Sequence, residues 1–247
     1  MTITHPPRAV VIGGSSGIGY GLAQGIADAG YQVHVLSRTA PPRALNFHWT
    51  YCDLTDLEAT QSILLRLAEE PIGILCFSAA FYGTQRRTLE ATPKHEWSTQ
   101  VDIMLHGLWS ALHHCLPALT SNPPGVIIGV SSEVVYNHGP GRSGYAAVKA
   151  AASALIRSAA QEYPSDVLRV VEVLPQGMVD SPGIRARRTA DFDYSGYMKV
   201  EDFRAIGTYL ATTRGADVHE LALAVSAGGD WQVVRSGTLP PSQSTAS

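Results

Sequence analysis

The chain has 247 residues, of which 45% are hydrophobic and 16% charged, with 18 Lys and Arg against 21 Asp and Glu for a formal net charge of −3. A chain of this length suits one large globular domain whose core needs no disulfide or metal staple. So small and nearly balanced a charge excludes the strongly basic profile of a nucleic-acid-binding domain and the charge-rich profile of a disordered chain.

The N-terminal run MTITHPPRAVVIGG holds no long apolar stretch, and no segment approaches the roughly 18 apolar residues of a membrane span. Neither a signal peptide nor a membrane partner is expected. A first strand is predicted over Ala9–Gly13. It runs directly into Gly13-Gly14-Ser15-Ser16-Gly17-Ile18-Gly19 and then a helix over Ser16–Ala29. The glycines let the backbone turn tightly, so that a pyrophosphate can approach exposed N–H groups and the positive end of the helix. At the first turn of a βαβ unit this reads as a nucleotide site.

The second strand, Gln32–Leu36, ends in Ser37-Arg38-Thr39. An NAD site usually carries an acid here for the ribose 2′-OH; its absence, with a guanidinium able to pair with a 2′-phosphate, points to NADP(H). A third strand over Asn46–Cys52 leads to a helix over Asp56–Glu69, opened by Thr55-Asp56. Strands over Ile72–Phe77 and Val126–Val130 flank one long helix over Pro93–Leu116, with Pro93 near its first turn. A helix over Ser143–Glu162 precedes a strand over Leu168–Leu174. The segment Asp180–Met198 is irregular, carries Pro182, Gly183, Gly196, three arginines and two tyrosines, and reads as a mobile loop over a pocket. A helix over Val200–Thr212 and a seventh strand over Val218–Val225 follow. Residues 228–247 are rich in Gly, Pro, Ser and Thr and read as a flexible tail, leaving residues 1–227 as a single domain.

The strands are continuous Val/Ile/Leu runs, as in strands covered on both faces, and they alternate with helices. The fold class expected is therefore α/β, a Rossmann-type, doubly wound, seven-stranded parallel sheet. Ligands in such sheets lie beyond the strand C-termini, at the switch point. The three cysteines, Cys52, Cys76 and Cys115, are far apart and form no CxxC pair. That suits reduced thiols in a cytoplasmic protein.

A second constellation lies later in the chain. Tyr145 and Lys149 are spaced i and i+4 on a predicted helix and share one face, with Ser131-Ser132 at the end of the fifth strand. A nearby ammonium is expected to favour the phenolate and lower the tyrosine pKa toward neutrality. A serine hydroxyl at a strand end suits polarisation of a substrate carbonyl.

With the GGSSGIG turn, the Tyr145/Lys149 pair and Ser132 thirteen residues before the tyrosine, the chain resembles the short-chain dehydrogenase/reductase family over roughly residues 8–226. Asp53 and Leu54 match the family's adenine contact. Pro175-Gln176-Gly177-Met178-Val179-Asp180-Ser181 resembles its PGxVxT stretch, which holds the nicotinamide amide. The resemblance implies an NADP(H) site built from Gly13, Ser15, Ser16, Gly17, Ile18, Gly19, Ser37, Arg38, Asp53, Leu54, Ser78, Ala79, Ala80, Tyr145, Lys149, Gln176, Gly177, Val179 and Ser181. It implies Tyr145 as proton donor, Ser132 as carbonyl polariser, and Lys149 as tuner of Tyr145 and binder of the nicotinamide ribose.

Four positions depart from the family pattern. Ile12 replaces the usual threonine, Phe77-Ser78-Ala79-Ala80 replaces NNAG, and Gln176 replaces the proline of the PG pair. Met104 stands where the family has a catalytic asparagine that steadies a water in the proton relay, a task a thioether side chain cannot perform.

Phe81, Tyr82, Val134, Tyr136, Met178, Tyr194 and Tyr197 fall near the expected pocket and suggest a bulky apolar or aromatic substrate. Arg185, Arg187 and Arg188 are either a clamp for an acidic substrate or a solvated run. His106, His113 and His114 offer no HxxxH pair, and no metal is expected. The small-residue run AAVKAAASALIRSAA allows close helix packing between subunits, as in the family's dimers, so a homodimer or homotetramer is expected. The leading expectation is an NADPH-dependent carbonyl reductase of secondary metabolism or aromatic ketone reduction; the alternative is a cofactor-binding scaffold or non-redox enzyme on the same fold.

Overall fold

The computed structural model describes residues 6–42 and 47–234. Its strands are β1 (Arg8–Ile12), β2 (Gln32–Ser37), β3 (His48–Tyr51), β4 (Ile74–Phe77), β5 (Gly125–Val130), β6 (Leu168–Pro175), β7 (Ala222–Val225) and β8 (Trp231–Val233). Its helices are α1 (Gly17–Asp28), α2 (Leu57–Leu67), α3 (Lys94–Val101), α4 (Gly107–Thr120), α5 (Val134–Asn137), α6 (Ser143–Gln161), α7 (Pro182–Arg185) and α8 (Arg204–Thr213). A π-turn at Asp102–His106 joins α3 to α4, and a 3-10 turn at Val200–Phe203 leads into α8.

All eight strands form one sheet in the order β3-β2-β1-β4-β5-β6-β7-β8, parallel except for β8, which runs antiparallel to β7. Successive strand residues point to opposite faces, and β1 shows how this builds two cores. Val10 and Ile12 join the cluster under α2, α4 and α6, with Leu64, Leu112 and Ile156. Ala9 and Val11 join the cluster under α1 and α8, with Leu22, Ile26 and Leu210. Each such Leu or Ile contributes about 1.5–3 kcal/mol on burial. Because both faces are covered, the residues free to meet a ligand are those at strand ends. The order reverses between β1 and β4, which opens a crevice beyond their C-termini.

The structure differs from the sequence reading in several elements. The sheet has eight strands, and residues 231–233, within the expected tail, form the eighth. Gly228 and Gly229, both at φ +91, turn the chain back, and Trp231 packs on Tyr209 with ring centroids 5.2 Å apart. One half-buried aromatic outweighs the polar composition around it; residues 235–247 lie outside the described residues, as do residues 1–5. The third strand starts at His48 rather than Asn46, which is also outside them. The seventh is confined to Ala222–Val225, because Glu220 at φ +60 breaks extension before it. The single long helix is two helices separated by the π-turn, and α4 continues through Pro117 to Thr120. Asp56, not Thr55, caps α2: its carboxylate accepts from the Ala59 amide at 3.0 Å. Cys52, Cys76 and Cys115 are free and buried. Among the described residues no helix is long and apolar enough to cross a membrane.

Candidate active site

A cavity of about 910 Å³ occupies the crevice. Its first wall is the turn after β1. Gly13 has φ +81, and a Cβ there would lie 2.6 Å from the Ala79 amide nitrogen, so only glycine lets the turn pass this close to the chain beyond β4. Ser16 is the N-cap of α1, yet its hydroxyl makes no bond to the first turn, and no acidic residue sits there. The helix therefore presents its N–H groups and dipole to the cavity.

At the end of β2 the Ser37 hydroxyl donates to the Thr39 carbonyl at 2.8 Å and accepts from the Trp49 indole at 3.1 Å. Thr39 also meets Ser15, hydroxyl to hydroxyl at 3.2 Å. These bonds hold the turn from which the exposed Arg38 projects. Asp53, after β3, accepts from the Thr55 amide at 3.0 Å and the Thr55 hydroxyl at 2.8 Å. Those bonds, with Arg38 nearby, hold its carboxyl below the usual range. Among the described residues the donors at the start of α1 and at Arg38 have no other partner, so a pyrophosphate-sized anion fits the first and a phosphate the second, and a dinucleotide-sized ligand fits the cavity.

Across the cavity, α6 delivers Tyr145 and Lys149 to the end of β5. Lys149 Nζ donates to the Val130 carbonyl at 2.7 Å and lies 5.9 Å from the centre of the Tyr145 ring. Burial pushes the Lys149 pKa down to about 8, with Glu172 pulling the other way. Burial also raises the Tyr145 phenol well above its ordinary value; Tyr82 adds to that, while a hydrogen bond from Ser132 opposes it. The expected lowering by Lys149 is thus corrected: desolvation outweighs an ammonium that is itself desolvated and aimed at a carbonyl. Ser132 Oγ accepts from the Val134 amide at 3.4 Å. Its neighbour Ser131, which the sequence reading placed at the strand end but gave no role, has a buried hydroxyl without a partner among the described residues on this same wall.

Of the residues expected to hold a nucleotide, all but Gly19 and Gln176 line the cavity. Gly19 sits behind the turn, where a Cβ would meet the Gly13 carbonyl. Gln176 is drawn off by β7, its backbone N–H donating to the Val225 carbonyl at 2.8 Å.

Of the seven expected substrate residues, only Tyr82 and Met178 are on the wall. Val134 is fully buried in the core, and Phe81 packs against that same cluster. Tyr136 packs with Leu174 and Ala224. Tyr194 and Tyr197 meet Phe192 and each other edge to face, with ring centroids 4.9–5.5 Å apart. Side-chain type marked these as pocket candidates, but each spends its apolar surface on the core or on a local aromatic cluster. The segment after β6 does overlie the cavity through Ile184, Arg187 and Arg188, and the Val179–Met198 bridge closes its base. Arg185 is committed elsewhere, bonded to both oxygens of Asp180 at 2.6 and 2.7 Å. His106 pairs with Asp102 at 3.1 Å, and His113 stacks on Trp109 at 4.7 Å. Met104 is buried, 1% exposed, within the π-turn and off the cavity wall, whereas its neighbour Ile103 lines it.

Residues 7–191 match the short chain dehydrogenase family. The cis-4-hydroxycyclohexanecarboxylate dehydrogenase of Sinomonas cyclohexanicum is 29% identical over 244 residues, 89% of this chain and 95% of that protein. The 3-oxoacyl-(acyl-carrier-protein) reductase of Staphylococcus aureus is 26% identical over 180 residues, 68% of this chain and 72% of that protein. A solved structure from Beutenbergia cavernae, described as an NAD(P) dependent gluconate 5-dehydrogenase with bound NADP, superposes with a TM-score of 0.78 at 25% identity, covering 90% of this chain and 96% of that one. A match spanning both the glycine turn and the Tyr145/Lys149 helix places this chain in the short-chain dehydrogenase/reductase family of oxidoreductases.

Proposed function

We propose that the protein is an NADP(H)-dependent oxidoreductase that interconverts a carbonyl and the corresponding alcohol on a medium-sized, largely apolar or aromatic molecule. The observation that carries this reading is the convergence of Ser132, Tyr145 and Lys149 on one cavity with the glycine turn and Arg38. The nicotinamide, when bound, supplies the hydride to the carbonyl carbon. Tyr145 gives its proton to the carbonyl oxygen, a role suited to a phenol that burial keeps protonated at neutral pH. Ser132 hydrogen-bonds that oxygen as it gains charge, and a cationic Lys149 stabilises the phenolate left behind. The names of the Sinomonas and Staphylococcus relatives describe chemistry at CH–OH and C=O, in support.

In the same reading the chain through β8 folds as one unit, it forms a homodimer or homotetramer through its small-residue helix faces, and it acts in the cytoplasm, in secondary metabolism. The test is to follow reduced-nicotinamide absorbance with NADPH or NADH and a panel of ketones. Turnover favouring NADPH, abolished in Tyr145→Phe, is expected. Tight NADPH binding with no turnover on any ketone would favour the non-redox alternative, and equal use of NADH would overturn the cofactor assignment.

A further inference from the structure

The end of the cavity beyond Tyr145 is cationic. Arg86, Arg142, Arg187 and Arg188 reach it from three separate segments, and Glu133 is the acid among them. Glu133 is already occupied, accepting from Arg142 Nη1 at 3.0 Å. No carboxylate among the described residues lies within 4.0 Å of a side-chain nitrogen of Arg86, Arg187 or Arg188.

Arg187 is the most exacting of the three. Its Nε is buried and has no hydrogen-bond partner. Its guanidinium stands 5.7 Å from the centre of the Tyr82 ring, and that ring stands 5.1 Å from the Tyr145 ring. The cation is thus one aromatic ring removed from the proposed proton donor. Burial, the largest influence, and the like charges of Arg188 and Arg86 weigh against its charged form, while Tyr82 and Glu96 favour it. A half-buried guanidinium with an unmet donor and cationic neighbours is costly to the empty fold, and an anion is the ligand that relieves it. Arg185, which is exposed on the same segment, lacks these features because Asp180 holds it.

We propose that this protein takes an anionic substrate, a carbonyl or hydroxy compound bearing a carboxylate about one ring width from the reacting carbon, and that Arg187 receives that carboxylate. The proposal rests on the oxidoreductase reading above and names its substrate class. The planar fork of arginine pairs with a carboxylate through two parallel bonds, which also fixes the substrate's direction in the cavity.

The test compares 4-acetylbenzoate with its methyl ester at saturating NADPH, in wild type, Arg187→Gln and Arg187→Lys, alongside calorimetric binding of the non-reducible pair benzoate and benzamide. Wild type should prefer the acid over the ester in kcat/KM by about 10- to 100-fold, the range of one charged hydrogen-bonded pair. Arg187→Gln should abolish that preference and the binding of benzoate, while Arg187→Lys should keep part of both. Equal use of acid and ester by wild type would overturn the proposal and leave the oxidoreductase reading intact. So would an Arg187→Gln protein that loses NADPH affinity but keeps the acid preference, since the arginine would then serve the cofactor. Benzoate binding that depends on Arg187, in a protein that reduces no ketone, would uphold the anion site and overturn the redox reading instead.

Discussion

Replacing Lys149 by methionine should end activity and yet stabilise the protein at neutral pH. Lys149 is 5% exposed, and its pKa falls from the free value of 10.5 to about 8. At about 1.36 kcal/mol per pH unit, that displacement corresponds to a cost of about 3 kcal/mol for holding the ammonium in the fold. The cost is fully present below about pH 8, where both folded and unfolded chains are protonated. It disappears between about 8 and 10.5, where only the unfolded chain still binds the proton. Methionine has similar length and no charge, but it leaves the Val130 carbonyl without its 2.7 Å donor, a loss of about 1 kcal/mol. The balance at pH 7 is about +2 kcal/mol, which for a chain of this size raises Tm by about 4–8 °C. Above pH 10.5 only the lost bond remains, and the variant should be the less stable of the two. Thermal unfolding of both proteins from pH 6.5 to 10.5 measures this directly. Equal Tm values at pH 7, or a difference that does not change across the range, would refute the reasoning.

Arg38→Asp should weaken NADPH binding by about 2 kcal/mol or more, roughly thirty-fold, from a lost charged bond plus repulsion, as read by fluorescence titration; NADH binding should change much less. Gly13→Ala should reduce both soluble yield and cofactor affinity, because φ +81 and the Ala79 amide at 2.6 Å leave no room for the methyl group; a variant with wild-type Tm and affinity would refute this. Met104→Asn should lower Tm, since an amide placed where the side chain is 1% exposed costs about 1–3 kcal/mol unless it finds a partner. If a relay water is what the methionine withholds, its specific activity well below Tm should be equal or higher. Light scattering should give at least a dimer, and a single-chain mass at micromolar concentration would remove that expectation.

The parallel sheet was legible because its strands are buried on both faces and so appear as unbroken apolar runs, AVVIG and GVIIGV among them. The floor of the site was legible for a related reason. Strand ends, turn glycines and an i, i+4 pair are local features, and a βαβ alternation fixes where they meet. The rim was not. Arg86, Glu133, Arg142 and Ile103 carry no spacing signal and reach the cavity only through tertiary packing. Tyr194 and Tyr197 have the right chemistry for a pocket and spend it on Phe192 and on each other. The direction of the Tyr145 shift was missed because i, i+4 spacing reports proximity to Lys149 but not burial, and burial decides the sign. The π-turn at Asp102–His106 was hidden because one extra residue in a helical turn leaves the hydrophobic pattern almost unchanged.

The hairpin that returns β8 onto β7 settles which backbone groups remain open at that side of the sheet. Without it β7, four residues that are all buried, would present a row of unpaired amides and carbonyls to any passing strand. With it the free border is a three-residue strand whose middle and last side chains are exposed. A template so short holds few bonds for an incoming chain, which guards the protein against runaway strand addition during folding. It also means that a second copy cannot extend this sheet through β7, so any assembly across this border has to engage β8 or the residues beyond it.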